Sequence, residues 1–447
     1  MRDKETKRHV RSLTTVAIAV IMSLGGVVAV VGAGASNIAL GTDAHKTTLT
    51  VGKGALRFNV FAPFTGPDAR FGEHGLPGAE VGAYVINSSG GIMGRKIVVT
   101  HTDSRGDPAD AVPALQQMLA TTSNLEAVLG PTSDESLATI PLLRREGVPT
   151  FDQAGSTQLD GLRSKWVYRI LASDSEDAVA MSYQAVKVDH AQRVALVFAS
   201  DAGSQSLVAP LQAVLKQMHA TVVANVSLTP DQPSYSTEVL SVEAAKPDVI
   251  LTETDDATAA TLWSEMYQLS GLHIKIIGSG ATTGQDYFQA VQQALGSNIT
   301  AFQQVYSGVS FSTLNTCATP TFLKAFHTIY PGQQPVLGHV NYYDSMLLID
   351  FAMHMAKSFN PNKWVPEIRK ITNAPKGAVR VCTLAQGLRE IKLGKRFTYI
   401  GTKDSMVLNK SNTVTISEEA IAFDNTGLPV VLNQLTLAEL APFNSGL

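Results

Sequence analysis

From Leu56 onward the chain alternates short apolar runs with stretches of helical periodicity. In "LRFNVFA" the residues Leu56, Phe58 and Val60 alternate with polar or smaller neighbours and Pro63 follows, the spacing of a half-buried strand. Ala79, Gly82, Ala83 and Ile86 then fall on one helical face, whose small residues would let a helix sit close to a sheet. "SSGGIMG" breaks that helix and "KIVVTHTD" predicts the second strand. Beyond Pro108 the positions of Ala111, Leu115, Met118 and Leu119 predict a second helix. "LEAVLG", "ESLATIPLLRRE" and "VPTFD" continue as strand, helix and strand.

A second series begins near Arg193 with the strand "RVALVFAS" and a helix carrying the stripe Leu207, Leu211, Leu215 and Met218. It runs on through "TVVANVSL", a helix around Val239 to Ala245, "DVILT", a helix from Asp256 to Ser270, "HIKIIG", and a helix near Tyr287 to Leu295. Repeated strand-helix units predict an α/β protein with parallel sheets flanked by helices, and two series predict two Rossmann-like lobes. The pattern resumes with "QQVYSGVSF", a helix from Pro320 to Ile329 and a long apolar helix through Tyr343, Leu347 and Phe351. From Phe397 the short strand candidates "TVTI" and "EAIAFD" are broken by turns at Asp424-Asn425 and Gly427.

Two lobes agree with the length, since 447 residues exceed the usual single compact domain. With 45% hydrophobic and 16% charged residues and a formal charge of -3, the chain is an ordinary globular one. It has no basic excess for gripping a nucleic acid. Its N-terminus is different: "MRDKETKRHVR" is basic, Leu13 to Val31 is apolar throughout, and the small residues Ala33, Gly34 and Ala35 follow. Residues 1–35 are therefore expected to be either a signal peptide cleaved near Ala35 or an uncleaved membrane anchor, and 36–55 a tether. Both place the rest outside the cytoplasm, secreted, periplasmic or at the cell surface, with membrane contact only through this segment. An oxidising compartment favours pairing Cys317 with Cys382, the alternative being two unrelated buried thiols. The bond would stabilise by about 4 kcal/mol through loop closure.

In open α/β sheets ligands bind beyond the carboxyl ends of strands, at loops entering helices. "GPTSDES", which follows the third predicted strand, occupies such a place. Its free amides and hydroxyls could hold an anion, or Ser133 or Asp134 could simply cap the helix. "TETDD", Thr252 to Asp256, sets three carboxylates after a strand, as a cation or ammonium site or as helix capping. "GSGATTG" at 278–284 fails the dinucleotide spacing and is expected to be a flexible loop. No phosphate-binding loop, nucleophile elbow, His-Glu-x-x-His or paired Cys-x-x-Cys occurs, so neither an enzyme nor a bound cofactor or metal is expected. A hydrolytic site built on "TETDD" and Ser133 lacks a base at any recognisable spacing.

Several stretches together resemble the type I periplasmic binding proteins, specifically the branched-chain amino-acid-binding receptors of ABC transporters. They are "FAPFTGPDARFG", "GAEVGAYVINSSGGIMGRKIVVTHTDSRGDPADAV", "VLGPTSDES", "EGVPTFDQAGSTQL", "KPDVILT", "YYDSMLLIDFAM" and "EAIAFDNTG", spanning about 56 to 430. The resemblance implies two lobes that close on a ligand about a multi-crossing hinge. Lobe 1 would comprise 56–172 and about 305–395, and lobe 2 would comprise 173–304 and about 396–447. It implies a small carboxylate-bearing ligand, foremost an amino acid, delivered to an ABC permease. Ser133, the backbone at Ala154 and Ser156 match the positions that hold the ligand's carboxylate, and Phe71 matches an aromatic that packs on its side chain.

The second wall departs from the family's pattern: Ala202 replaces a tyrosine, and Ser279-Gly280-Ala281 stands where an acid meets the ligand's ammonium. Asp255 or Asp256 could substitute. Otherwise the ligand lacks an ammonium and is a carboxylate, an amide or an aromatic acid. A sensory or regulatory clamp of the same fold is the competing function.

Overall fold

The computed structural model describes residues 54–311, 316–404 and 406–444. The expected signal or anchor, and nearly all of the expected tether, lie outside the described residues. Among the described residues no helix is long and apolar enough to cross a membrane.

The first sheet is wholly parallel, in the order β2-β1-β3-β4-β5. Its strands are β1 (Leu56–Ala62), β2 (Ile97–Asp103), β3 (Leu125–Leu129), β4 (Thr150–Asp152) and β5 (Val167–Arg169). Between them run α1 (Arg70–Ser88), α2 (Pro108–Thr121) and α3 (Ser133–Glu146). Local chemistry sets the helix ends. Asp107 caps α2 by accepting the Ala109 amide at 2.6 Å, with Pro108 fitting the first turn. Gly147, at φ 66°, ends α3 in the left-handed conformation.

After α4 (Asp174–Tyr183) the chain builds β6 (Arg193–Ala199), α5 (Ala202–Ser206), α6 (Val208–Gln217), β7 (Thr221–Leu228), α7 (Ser236–Ala245) and β8 (Val249–Glu253). It continues with α8 (Asp256–Ser270), β9 (Lys275–Gly278), α9 (Gln285–Leu295), α10 (Ile299–Val305) and β10 (Tyr306–Phe311). It then returns to the first lobe for α11 (Thr319–Ile329), α12 (Leu337–Ala356), α13 (Pro361–Thr372) and α14 (Leu384–Lys392), with β11 (Val379–Val381) and β12 (Phe397–Tyr399) as a small parallel ladder. The hairpin β13 (Glu418–Phe423) and β14 (Pro429–Leu435), followed by α15 (Leu437–Leu440), closes the second sheet, ordered β14-β13-β10-β9-β8-β6-β7. The chain thus passes between the sheets after β5, after β10 and before β13, which makes a multi-strap hinge.

Four expectations need correction. β10, assigned to the first lobe by a boundary near 305, pairs in parallel with β9 and antiparallel with β13, and Val309 is buried in the second lobe's core. Residues 397–416, expected in the second lobe, pack Phe397, Tyr399, Leu408, Val414 and Ile416 into the first lobe's core beside Phe351 and Trp364. "TVTI" forms no strand, making only single bridges at Thr413 and Val414, because Asn409 and Arg169 take its backbone groups. "GSGATTG" is no loose loop: Gly280–Thr282 is a 3-10 turn capped by Ser279, with Ser279 and Thr282 fully buried.

Ala79, Ala83 and Ile86 of α1 pack in one core with Leu56, Phe58 and Val60 of β1 and Ile97 of β2. The glycines serve a second approach: a Cβ on Gly78 would stand 2.1 Å from the His339 carbonyl oxygen, and one on Gly82 would stand 2.7 Å from Met346 Cβ, so they let α1 lie against α12. Cys317 and Cys382 form a disulfide with Cα atoms 5.5 Å apart, across 65 residues.

Candidate functional site

The carboxyl ends of both sheets face a shared cavity of about 440 Å³. The loop after β3 shows how one wall is made. Gly130 takes φ 109°, where an added Cβ would lie 2.0 Å from the Phe61 carbonyl oxygen, so only glycine fits. Thr132, not Ser133 or Asp134, then starts α3. Its amide donates to Glu135 Oε1 at 3.1 Å and its hydroxyl donates to Glu135 Oε2 at 3.0 Å, a capping box. Relieved of capping, Ser133 and Asp134 turn toward the cavity.

Behind this wall sits Arg169, only 1% exposed. Its guanidinium donates to the carbonyls of Ala154, Gly155 and Ser156 at 3.0, 2.7 and 3.1 Å and to Asp160 Oδ1 at 2.7 Å. A planar, permanently charged fork suits such a convergence of acceptors. It fixes the 154–156 turn, whose Gly155 and Ser156 amides donate to Ser133 Oγ at 3.1 and 3.3 Å.

The lobes meet through polar contacts around the cavity. Arg70 on α1 reaches Asp256 on α8 at 2.5 Å, His74 Nε2 lies 3.1 Å from Asp286 Oδ2, and the Gly203 amide donates to Asp134 Oδ1 at 2.8 Å. Thr157 Oγ1 donates to the Ser206 carbonyl at 3.4 Å. All of these join the first lobe to the second.

The cavity is acidic. Asp68 and Asp134 come from the first lobe, Asp174 and Asp177 from α4, and Asp201, Glu253, Asp255 and Asp286 from the second lobe; Arg70, His74 and Lys403 are the basic side chains among them. Burial, with Asp201 and Asp68 nearby, pushes the Asp134 carboxyl up to about 8. Burial also raises Glu253 to about 8, helped by Asp174, and Asp177 to about 8, helped by Glu253 and Glu176. Asp174 rises to about 7 and Asp68 to about 6 for the same first reason, desolvation. Burial pulls the Lys403 ammonium down to about 7 against the attraction of Asp344 and Asp177. Asp286 goes the other way: although burial pushes it up, the hydrogen bond and charge of His74 bring it down to about 2.

Of the residues singled out in the sequence, Phe71, Ser133, Asp255 and Gly280 line the cavity. Asp255 caps α8, with Oδ1 accepting the Ala257 and Thr258 amides at 3.0 and 2.9 Å. Ala154 and Ser156 lie buried behind the wall, the Ala154 amide donating to Asp152 Oδ1 at 2.8 Å, and Ala202 is exposed outside the cavity; their neighbours Gly155 and Gly203 take the wall positions. Asp256 is engaged by Arg70. Sequence reasoning missed Asp68, Asp174, Asp177, Asp201 and Asp286, took Asp134 only as a possible cap, and held Glu253 only as one of the three carboxylates of "TETDD". The Thr-x-x-Glu spacing of Thr132 and Glu135 was the available signal for Asp134, because it shows that another residue caps the helix.

Two α/β lobes that close over one cavity through charged and hydrogen-bonded contacts define a clamp for a small solute. A family model described as periplasmic binding protein matches residues 56–383, and the chain belongs to that family, whose members bind solutes. A Leu/Ile/Val-binding protein homolog of Brucella melitensis is 26% identical over 238 residues, 52% of this chain and 63% of the relative, so the chain spans just under two thirds of that relative's length. A leucine binding protein from Thermotoga maritima shares the fold with a TM-score of 0.71 at 17% identity, covering 86% of this chain and 100% of its own. A solute binding protein from R. palustris in complex with benzoate gives 0.66 at 17% identity, over 86% of this chain and 97% of its own. The fold is that of the type I periplasmic binding proteins.

Proposed function

We propose that this protein is the extracytoplasmic receptor of an ABC transporter, closing its lobes on one small organic solute and presenting the closed clamp to a permease. The observation that carries the reading is the ring of contacts between lobes, Arg70 to Asp256, His74 to Asp286 and Asp134 to Gly203, around a cavity of about 440 Å³. That size suits one small molecule. Contacts that form only on closure make solute capture and lobe geometry a single equilibrium, which is what a permease can sense. The names of the Brucella and Thermotoga proteins favour amino acids, and the benzoate complex shows that the fold also serves a small acid.

The test is a thermal-shift and small-angle-scattering screen of the full chain against amino acids, amines and small carboxylic acids. A solute that binds only the folded protein raises its melting temperature. A receptor gains stability with one chemical class and becomes more compact with the same class. A screen flat in both measurements refutes the reading.

A further inference from the structure

We propose that the captured solute is an organic cation with an apolar part, an amine or guanidinium compound carrying net positive charge, and not a free carboxylic acid. This rests on the receptor reading and names the class of its ligand.

The first support is the balance of charge. Eight carboxylates line the cavity against three basic side chains: Arg70 is engaged by Asp256 beside the cavity, His74 serves Asp286, and Lys403 lies in the field of Asp177 and Asp344. The second, independent support is a set of buried acceptors with nothing to accept. Asp177 Oδ1, Asp255 Oδ2 and Gln153 Oε1 have no hydrogen-bond partner in the protein, and each residue is 7% exposed and lines the cavity. Acceptors in that state call for a donor-rich guest, and ammonium and guanidinium groups offer three to five donors apiece.

A carboxylate guest would find fewer partners: among the described residues the unpartnered buried donors on the cavity are Arg70 Nε and the hydroxyls of Ser310 and Tyr342, and a hydroxyl accepts as readily as it donates. The amides nearest the first-lobe wall are engaged: Gly155 and Ser156 donate to Ser133 Oγ, Ala154 to Asp152 and Gly203 to Asp134. A negative guest beside Asp134 and Asp68 would push both carboxyls further toward their protonated forms, at a cost in a desolvated site. A bare metal ion fits no better, because among the described residues no group of three or more His, Cys, Asp or Glu is placed to hold one. Phe71, Val336, Ile421 and Leu428 line the same cavity and give an organic cation its apolar contact. The raised carboxyls add a signature: a bound cation favours their ionised forms, so capture releases protons and strengthens as the pH rises from about 6 to about 8.

The test is isothermal titration of the full chain at about pH 8 with agmatine, putrescine and phenethylamine against leucine, isovalerate and benzoate, repeated at lower pH. One or more amines should bind with proton release. Asp177→Asn and Glu253→Gln, checked for native melting behaviour, should each weaken that binding about ten- to hundredfold. Leucine or a free acid binding while every amine stays silent overturns the cationic ligand and leaves the receptor standing. Amine binding that neither substitution weakens, or that releases no protons, also overturns it. Silence across this panel and the wider solute screen overturns both readings.

Discussion

Replacing Arg70 by Met should open the clamp. The side chain of Arg70 is 10% exposed and that of Asp256 is 27% exposed, and they meet at 2.5 Å between α1 and α8. Met keeps most of the apolar stem and removes the charge. Two unit charges about 4 Å apart interact by about 4 kcal/mol at an effective dielectric of about 20. Asp256 keeps part of its hydration through its exposed quarter, which lowers the net loss to about 2–3 kcal/mol. That shifts the closed-to-open ratio about 30- to 150-fold toward open. Dyes on Tyr84→Cys and Leu269→Cys, exposed positions on α1 and α8, would report the lobe separation by single-molecule energy transfer. Asp256→Asn should give a similar shift, and the double substitution little more than either alone. An unchanged distance distribution in Arg70→Met, or full additivity in the pair, would refute the argument that this contact holds the lobes together.

Two further outcomes concern stability. Asp68, Asp134, Asp174, Asp177 and Glu253 all titrate above their ordinary range. The folded chain therefore holds protons that the unfolded chain has lost, and solute-free stability falls as the pH rises from about 5 to about 7. Lys403, drawn down to about 7, acts in the opposite sense only above that pH. Urea unfolding across this range checks the sign, and a rise would contradict it. Arg169→Met strands the carbonyls of the 154–156 turn and should cost about 3–5 kcal/mol of unfolding free energy. A loss below about 1 kcal/mol, the level of an exposed ion pair, would show that the turn holds itself.

The elements of both lobes were legible because their strands are short apolar runs bounded by turns and their helices carry stripes. β10 was legible as a strand but not by its sheet, since pairing with β9 and β13 depends on partners remote in sequence. "TVTI" has a strand's pattern, yet its backbone is used singly by Arg169 and by the Asn409 turn. The site divides in the same way. Ser133 and Phe71 stand in recognisable stretches, and "TETDD" advertised Asp255. The acidic cavity was not legible as a whole, because Asp68, Asp174 and Asp201 follow different strands and each, taken alone, reads as an ordinary turn or helix-start acid, while "TETDD" showed Glu253 and Asp255 only as one local cluster. Only the topology gathers them. Ala202 pointed to a missing tyrosine and Gly280 to a missing acid on the second wall, and beside Gly280 the Glu253 carboxylate of the neighbouring strand accepts the Ser279 hydroxyl.

Cys317 precedes α11 and Cys382 follows β11, both beside Ala318 and Ile400 in the first lobe. Their bond closes a 65-residue loop that carries α11, α12 and α13, so what it adds to stability belongs to the first lobe. Thr316, whose hydroxyl donates to the Gly401 carbonyl at 2.7 Å, ties the same end of α11 without it. Where thiols stay reduced, the lobe that carries Phe71 and Ser133 loses that reinforcement while the second lobe keeps its own.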